Sequence, residues 1–311
     1  MGRKIKGFSI ILMSVIIAGI ITGILTRVID LPMKVDHILS RFLDPRFGGT
    51  TNLSYEIGSN GESIHESYFT LPVDTPFDVS VELIQADVMI EKSKNGELGV
   101  KISTDRPEHY RMDRTDRELV IKEKKQPFIW PFGDMKEKKA KITIQVPGDT
   151  VDFDLETVNG NVCLEADGRD LNVEVVNGQI SVIRSTFKEG ELELVNGHIF
   201  VNKSEFLTSL DLEAVNGALK VNQVDSDEFS FETVNGEFQL SDLDGGRLSA
   251  ETVNGDFTGE NLYLKHLEVE QLTGKFTLIN ENLDYQIQSL TRSKTSSQDK
   301  IEANILNIYS E

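Results

Sequence analysis

The residues best placed to do chemistry are seven glutamates at a near-constant interval: Glu156, Glu174, Glu193, Glu213, Glu232, Glu251 and Glu270. Carboxylate oxygens suit hard cations such as calcium, so a row of them would collect divalent ions or a cationic partner. The same row also reads as a solvated acidic face that resists edge-to-edge aggregation. Calcium is the one cofactor this pattern suggests. The Gly-Gly-x-Gly-x-Asp signature of calcium-binding β-rolls is absent. There is no Gly-rich phosphate loop, no nucleophile elbow and no His-Glu-x-x-His. The five histidines (His37, His65, His109, His198, His266) are scattered. The expectation is a protein that is not an enzyme. A carbohydrate-active enzyme is the lesser alternative, resting on fold analogy alone.

What must position the glutamates is a repeat. Each stands three residues before a turn, and six of the turns are Asn-Gly: Asn159, Asn177, Asn196, Asn216, Asn235 and Asn254, each followed by glycine. The steps between these asparagines are 18, 19, 20, 19 and 19 residues, and Thr273-Gly274 follows at the same interval. Two and four residues before each turn, and three and five after it, the residues are mostly apolar. Leu192, Leu194, Ile199 and Val201 are one set, and Phe231, Thr233, Phe238 and Leu240 another. This is strand, turn, strand with one buried face. Tandem antiparallel hairpins on Asn-Gly turns would share the local pattern. The constant phase favours a parallel β-solenoid of coils of about 19 residues, all-β, with the asparagines stacked as a ladder about 4.8 Å apart. The glutamates fall on the opposite face from the buried positions and are predicted to point to solvent. The residue before each Asn (Val158, Val176, Val195, Val215, Val234, Val253) is predicted to turn inward at a corner. Asn and Gly both tolerate positive φ, which suits a bend.

The same phase recurs upstream, with Glu82 before Gln85-Ala86, so residues 77–92 read as a degenerate first coil. The chain divides into residues 1–27 (cytoplasmic tip and anchor), 28–65 (juxtamembrane segment and linker), 66–149 (divergent first coil and β cap), 150–285 (regular repeats) and 286–311 (C-terminal cap or tail). Phe8 to Leu25 is an uncharged apolar run, long enough for a transmembrane helix, with a cleaved signal peptide as the alternative, although such a region is normally shorter and no small-x-small cleavage site follows before Arg27. Arg3, Lys4 and Lys6 precede the run, which places the N-terminus in the cytoplasm and the remainder outside the cell membrane. Val35, Ile38, Leu39, Phe42 and Leu43 have amphipathic helical spacing. A lysine-flanked aromatic segment, Phe128, Trp130 and Phe132, is either a cap over the open end of the core or a tip that docks on lipid or a partner.

The 311 residues carry a formal charge of −19. That excludes nucleic acid as a partner, since such proteins need a basic footprint. Cys163 is the only cysteine, which rules out an intrachain disulfide and any cysteine metal cluster. It is expected to be an exposed, inert thiol.

The strings LETVNGNV, VEVVNGQI, FETVNGEF and AETVNGDF, with the preceding KITIQVPGDTVDFDLETVNG, resemble the repeats of the bacterial putative-adhesin β-solenoid domains over roughly residues 66–285. A single N-terminal span ahead of such a domain resembles the LiaG-like membrane-anchored proteins of envelope-stress operons in Gram-positive bacteria. The resemblance implies an exposed envelope protein. The long regular face would serve as a recognition surface, so the first expectation is a non-enzymatic binding or scaffold module in envelope maintenance or stress response. Its partner would be an envelope protein or wall polymer. The resemblance implies no catalytic residues. The alternative is an accessory regulator of a membrane sensor, acting through the span and residues 31–43.

Overall fold

Alternation of apolar and polar residues, interrupted once per coil by Asn-Gly, builds strands that run the same way and stack edge to edge. The computed structural model describes residues 53–58, 61–71, 76–124, 140–279 and 289–293. In chain order the strands are β1 (Glu56–Ile57), β2 (Ser63–Phe69), β3 (Phe77–Leu83), β4 (Ala86–Lys92), β5 (Leu98–Thr104), β6 (Tyr110–Arg114), β7 (Glu118–Glu123) and β8 (Ala140–Val146). Then come β9 (Val151–Asn159), β10 (Val162–Glu165), β11 (Asp170–Ile183), β12 (Thr186–Asn235), β13 (Phe238–Asn254), β14 (Phe257–Thr273), β15 (Phe276–Ile279) and β16 (Ser289–Ser293).

From β9 to β16 every pairing is parallel and joins equivalent residues of successive coils. Asn177 pairs with Asn159 and with Asn196, and Asn235 with Asn254. The fold is therefore a parallel β-solenoid, and the hairpin alternative is excluded. Its interior is a column of fully buried aliphatic and aromatic side chains. Phe187 and Phe206 stack with centroids 6.0 Å apart, and Phe257 and Phe276 at 5.1 Å. Burying each such ring is worth about 2–3 kcal/mol.

At the N-terminal end, β3 and β4 stack in parallel on β9 and β10 with Glu82 beside Glu156 and Val88 beside Val162. One further parallel layer is added by β7 on β3 and β8 on β4. Antiparallel strands then close this end: β5 on β8, β2 on β5, and β6 on β7. Changing strand direction stops the parallel stack from continuing into another molecule. The carboxylate of Glu123 accepts from the backbone N–H of Ile84 and Gln85, 2.8 Å each, and so satisfies the turn of the first coil.

The Asn-Gly corners differ from expectation in two respects. Among the turn glycines from Gly160 to Gly274, only Gly197 and Gly274 have φ in the positive range. Glycine is needed for another reason: a Cβ on Gly217 would collide with the carbonyl oxygen of Gly197, and one on Gly236 with that of Gly217. Backbone stacks directly on backbone at this edge. The valines before each Asn do not turn into the core either. They are half-buried on the outside of the corner, with only Val195 buried. The interior positions on either side of the turn already fill the available width.

Among the described residues, no helix is long and apolar enough to cross a membrane. The predicted anchor at 8–25, the segment 31–43 and the tip Phe128, Trp130 and Phe132 lie outside the described residues.

Candidate functional site

Each coil presents one strand just before its Asn corner, and these strands form a single sheet whose outer surface carries the glutamates. In register the column reads Lys122, Glu82, Glu156, Glu174, Glu193, with Glu232, Glu251 and Glu270 continuing it. Glu213 occupies the same place between Glu193 and Glu232, three residues before Asn216. The cation Lys122 terminates the column, its Nζ 2.7 Å from Glu82 Oε1. A second column two residues back contributes Asp154, Glu191, Asp211 and Glu268. Near the edges of this face Arg169 pairs with Asp152, and Arg247 Nη2 lies 2.9 Å from Glu268 Oε2.

The predicted exposure of the glutamates is corrected. None of the seven is exposed, six are half-buried, and Glu270 is buried. With neighbours about 4.8 Å away on both sides, the stems shield one another and the carboxyls lose much of their water. At the centre of the column Glu193 Oε2 and Glu213 Oε2 are buried and accept no hydrogen bond among the described residues. Loss of water drives the Glu193 carboxyl up to about 9. The charges of Glu174, Glu213 and Glu191, and a hydrogen bond shared with Glu191, push the same way. Burial raises Glu232 to about 7, aided by Glu213 and Glu251. Glu213 and Asp211 are raised by the same two causes, burial first. At neutral pH the Glu193 carboxyl is therefore held protonated and that of Glu232 is only partly ionised. Among the described residues no three acidic, histidine or cysteine side chains converge as a metal cage. The row is linear, and it presents carboxyls side by side to the outside.

Beside it runs the turn ladder. Nδ2 of Asn177 donates to Oδ1 of Asn159 at 3.0 Å, and Asn196, Asn216, Asn235 and Asn254 each donate to the one before at 2.9–3.0 Å. Thr273 Oγ1 donates to Asn254 Oδ1 at 2.8 Å and ends the series. This ladder is structural and holds the corner next to the acidic face rigid. Cys163 points outward, next to Met89 and Ser181 in register. It is half-buried, not exposed, and burial raises its thiol pKa.

A second corner has no signature in the sequence. Arg184, Lys203, Gln223, Asp242 and Asn261 all have φ between 50° and 55°, one per coil. Their side chains share no chemistry, so no motif announces them. Beside this corner lies a polar cleft of about 350 Å³.

Parallel in-register coils, buried aromatic stacks and an acidic outer sheet define an extended solenoid domain with a repetitive acidic surface. The chain belongs to the Toastrack DUF4097 family, whose model matches residues 78–300. No curated protein matches it. It is similar in fold to solved structures of a putative adhesin from Parabacteroides merdae ATCC 43184 (12% identity, 74% of this chain and 92% of that one, TM-score 0.49) and a putative adhesin from Parabacteroides distasonis ATCC 8503 (12%, 74% and 97%, 0.47). A putative lipid binding protein from Parabacteroides distasonis ATCC 8503 is also similar (14%, 74% and 97%, 0.42).

Proposed function

We propose that this chain is a non-enzymatic binding or scaffold module, held outside the cell membrane by its N-terminal apolar run and serving envelope maintenance or stress response. The observation that carries the reading is the outer sheet. Its carboxyls stand in register over eight coils, next to an asparagine ladder that keeps their spacing fixed. A rigid, repetitive array of weak sites suits a repetitive or extended partner, because each further contact forms at high effective concentration. A partially protonated acidic strip favours a cationic or hydrogen-bond-donating partner and disfavours anionic lipid and nucleic acid. The uncharged run at 8–25 and the cations before it support the membrane address.

The test uses intact cells. Photo-crosslinking residues are placed on the acidic sheet at Ser230 and Ser249, and separately within residues 8–43. Capture of wall polymer or an exposed envelope protein from the sheet positions is the expected result. Capture confined to residues 8–43, with a membrane sensor as the product, would replace this reading with regulation of that sensor. Sidedness is checked with Ser230→Cys in a Cys163→Ser background. A membrane-impermeant maleimide labels it in whole cells if the domain lies outside, and only after lysis if it does not.

A further inference from the structure

The spacing of the repeats is irregular at one place, and the irregularity makes a site. From Asn159 to Asn177 the step is 18 residues, one short of the usual. The missing residue can be located. Leu164 pairs with Val182, a step of 18, whereas Asp170 pairs with Glu189, a step of 19, so the residue is missing between 164 and 170. The coil holding Asn159 therefore lacks the left-handed corner residue that Arg184 supplies in the next coil, and the column of such residues begins at Arg184. The step from Asn196 to Asn216 is one residue long, 20. A short corner beside longer ones leaves a notch, and the cleft of about 350 Å³ lies there. That volume is at the lower end of small-molecule sites, roughly 300–1,000 Å³, and suits one sugar ring.

The residues that line the cleft are all polar or charged. Ser185 and Ser204 line it, both buried, with Ser204 Oγ accepting from Ser185 N–H at 3.3 Å. Lys92 Nζ is 2.8 Å from Asp167, which also accepts from Thr186 N–H, so one side is fixed. Arg184 is held by Glu165 (Nε to Oε1 3.1 Å). In the next coils along the same corner, the side chains of Lys203, Glu205 and Gln223 make no hydrogen bond or ion pair among the described residues. The lining holds three cations (Lys92, Arg184, Lys203) and three carboxylates (Asp167, Glu205, Asp225), and Glu165 on Arg184 adds a fourth, so the cleft is close to neutral in a chain whose formal charge is −19. Free donors and free acceptors side by side, with little net charge and no apolar residue among those lining the cleft, match hydroxyl groups, each of which donates and accepts.

We propose that this notch binds a neutral sugar unit, with Lys203 donating to ring hydroxyls and Glu205 and Gln223 accepting from them. The inference rests on the binding-module reading and concerns a different surface from the acidic sheet. With no aromatic platform, a single unit binds weakly, and tight capture of a polymer comes from adding the sheet contacts.

The experiment uses the full-length chain in a mild detergent. Saturation-transfer NMR and calorimetry are run with methyl β-glucoside and N-acetylglucosamine, against glucuronate and glucosamine as charged counterparts. The expected result is binding of at least one neutral hexose. Lys203→Asn with Glu205→Gln should weaken it by about tenfold or more, the scale of losing hydrogen bonds to charged groups. Asn accepts the left-handed backbone at residue 203, so the melting temperature should hold and a lost fold cannot mimic lost binding. No transfer from any neutral hexose, affinity unchanged in the double variant, or tenfold preference for either charged sugar would overturn the proposal. If the double variant still captures envelope material in cells while losing hexose binding, the notch assignment stands and capture by the sheet stands with it. If capture is normal and hexose binding never existed, only the notch falls.

Discussion

Two columns of identical side chains run along the solenoid three residues apart in every coil, and their physics is opposite. The asparagine column carries a donor and an acceptor on each side chain, so every rung satisfies the next, and the amides connect from Asn159 to Asn254. The glutamate column carries only acceptors when ionised. Stacked at the same spacing it repels, and it survives by burying its stems and keeping protons, as Glu193 does. Regularity in a repeat is therefore no measure of stabilisation. A perfectly repeated residue can be a strut or a cost, and the count of donors on its side chain decides which.

The largest way to break this contrast is at the strut. Gly217→Ala forces a methyl group into the Gly197 carbonyl and should cost about 3 kcal/mol in denaturant unfolding. A cost near zero would mean the corner relaxes, and the direct backbone stacking described above would be wrong. Asn216→Ala removes the bond it donates to Asn196 and the one it accepts from Asn235, and should cost about 2 kcal/mol.

The glutamate column should answer in the opposite direction. Glu193→Gln should raise stability at pH 8 by about 1 kcal/mol, the scale of like charges placed side by side in a sheet. The sign with pH follows from linkage. A carboxyl whose pKa is higher folded than unfolded binds more protons in the folded state, so its stability is greatest below the unfolded value and is lost as pH rises. For Glu193 that window runs from the ordinary glutamate range up to about 9, and for Glu232 up to about 7. The gain from Glu193→Gln should therefore vanish near pH 4. An equal gain at pH 4 and pH 8 would show that the effect is not electrostatic. The smallest expected effect is from ions. Calcium and magnesium at millimolar concentration should raise the melting temperature of the full-length chain alike, by screening the row. A shift specific to calcium would show chelation and give the column a defined metal site.

Legibility followed the same division. The solenoid was readable because its signals are local: Asn-Gly at a fixed phase, apolar alternation on both sides, and the upstream echo at Glu82. The glutamate column was readable as an alignment but not as an environment. Its pKa values depend on what Glu174, Glu191 and Glu213 do together in space, and a pattern of outward-facing residues cannot report how much water their neighbours exclude. The second corner was silent, since Arg184, Lys203, Gln223, Asp242 and Asn261 reach one backbone conformation without a common side chain. The notch left one trace, the 18-residue step after Asn159, which only a known coil geometry converts into a missing corner residue.

By itself the chain of residues determined the parallel stack, because a period-two pattern phased to one turn every 19 residues buries its apolar set in a single way. It also determined which side chains lie in columns. Tertiary structure alone decided what those columns are worth. Hydrogen bonding and desolvation depend on the atoms brought in from the coils above and below, which are neighbours in space and nearly twenty residues away in sequence.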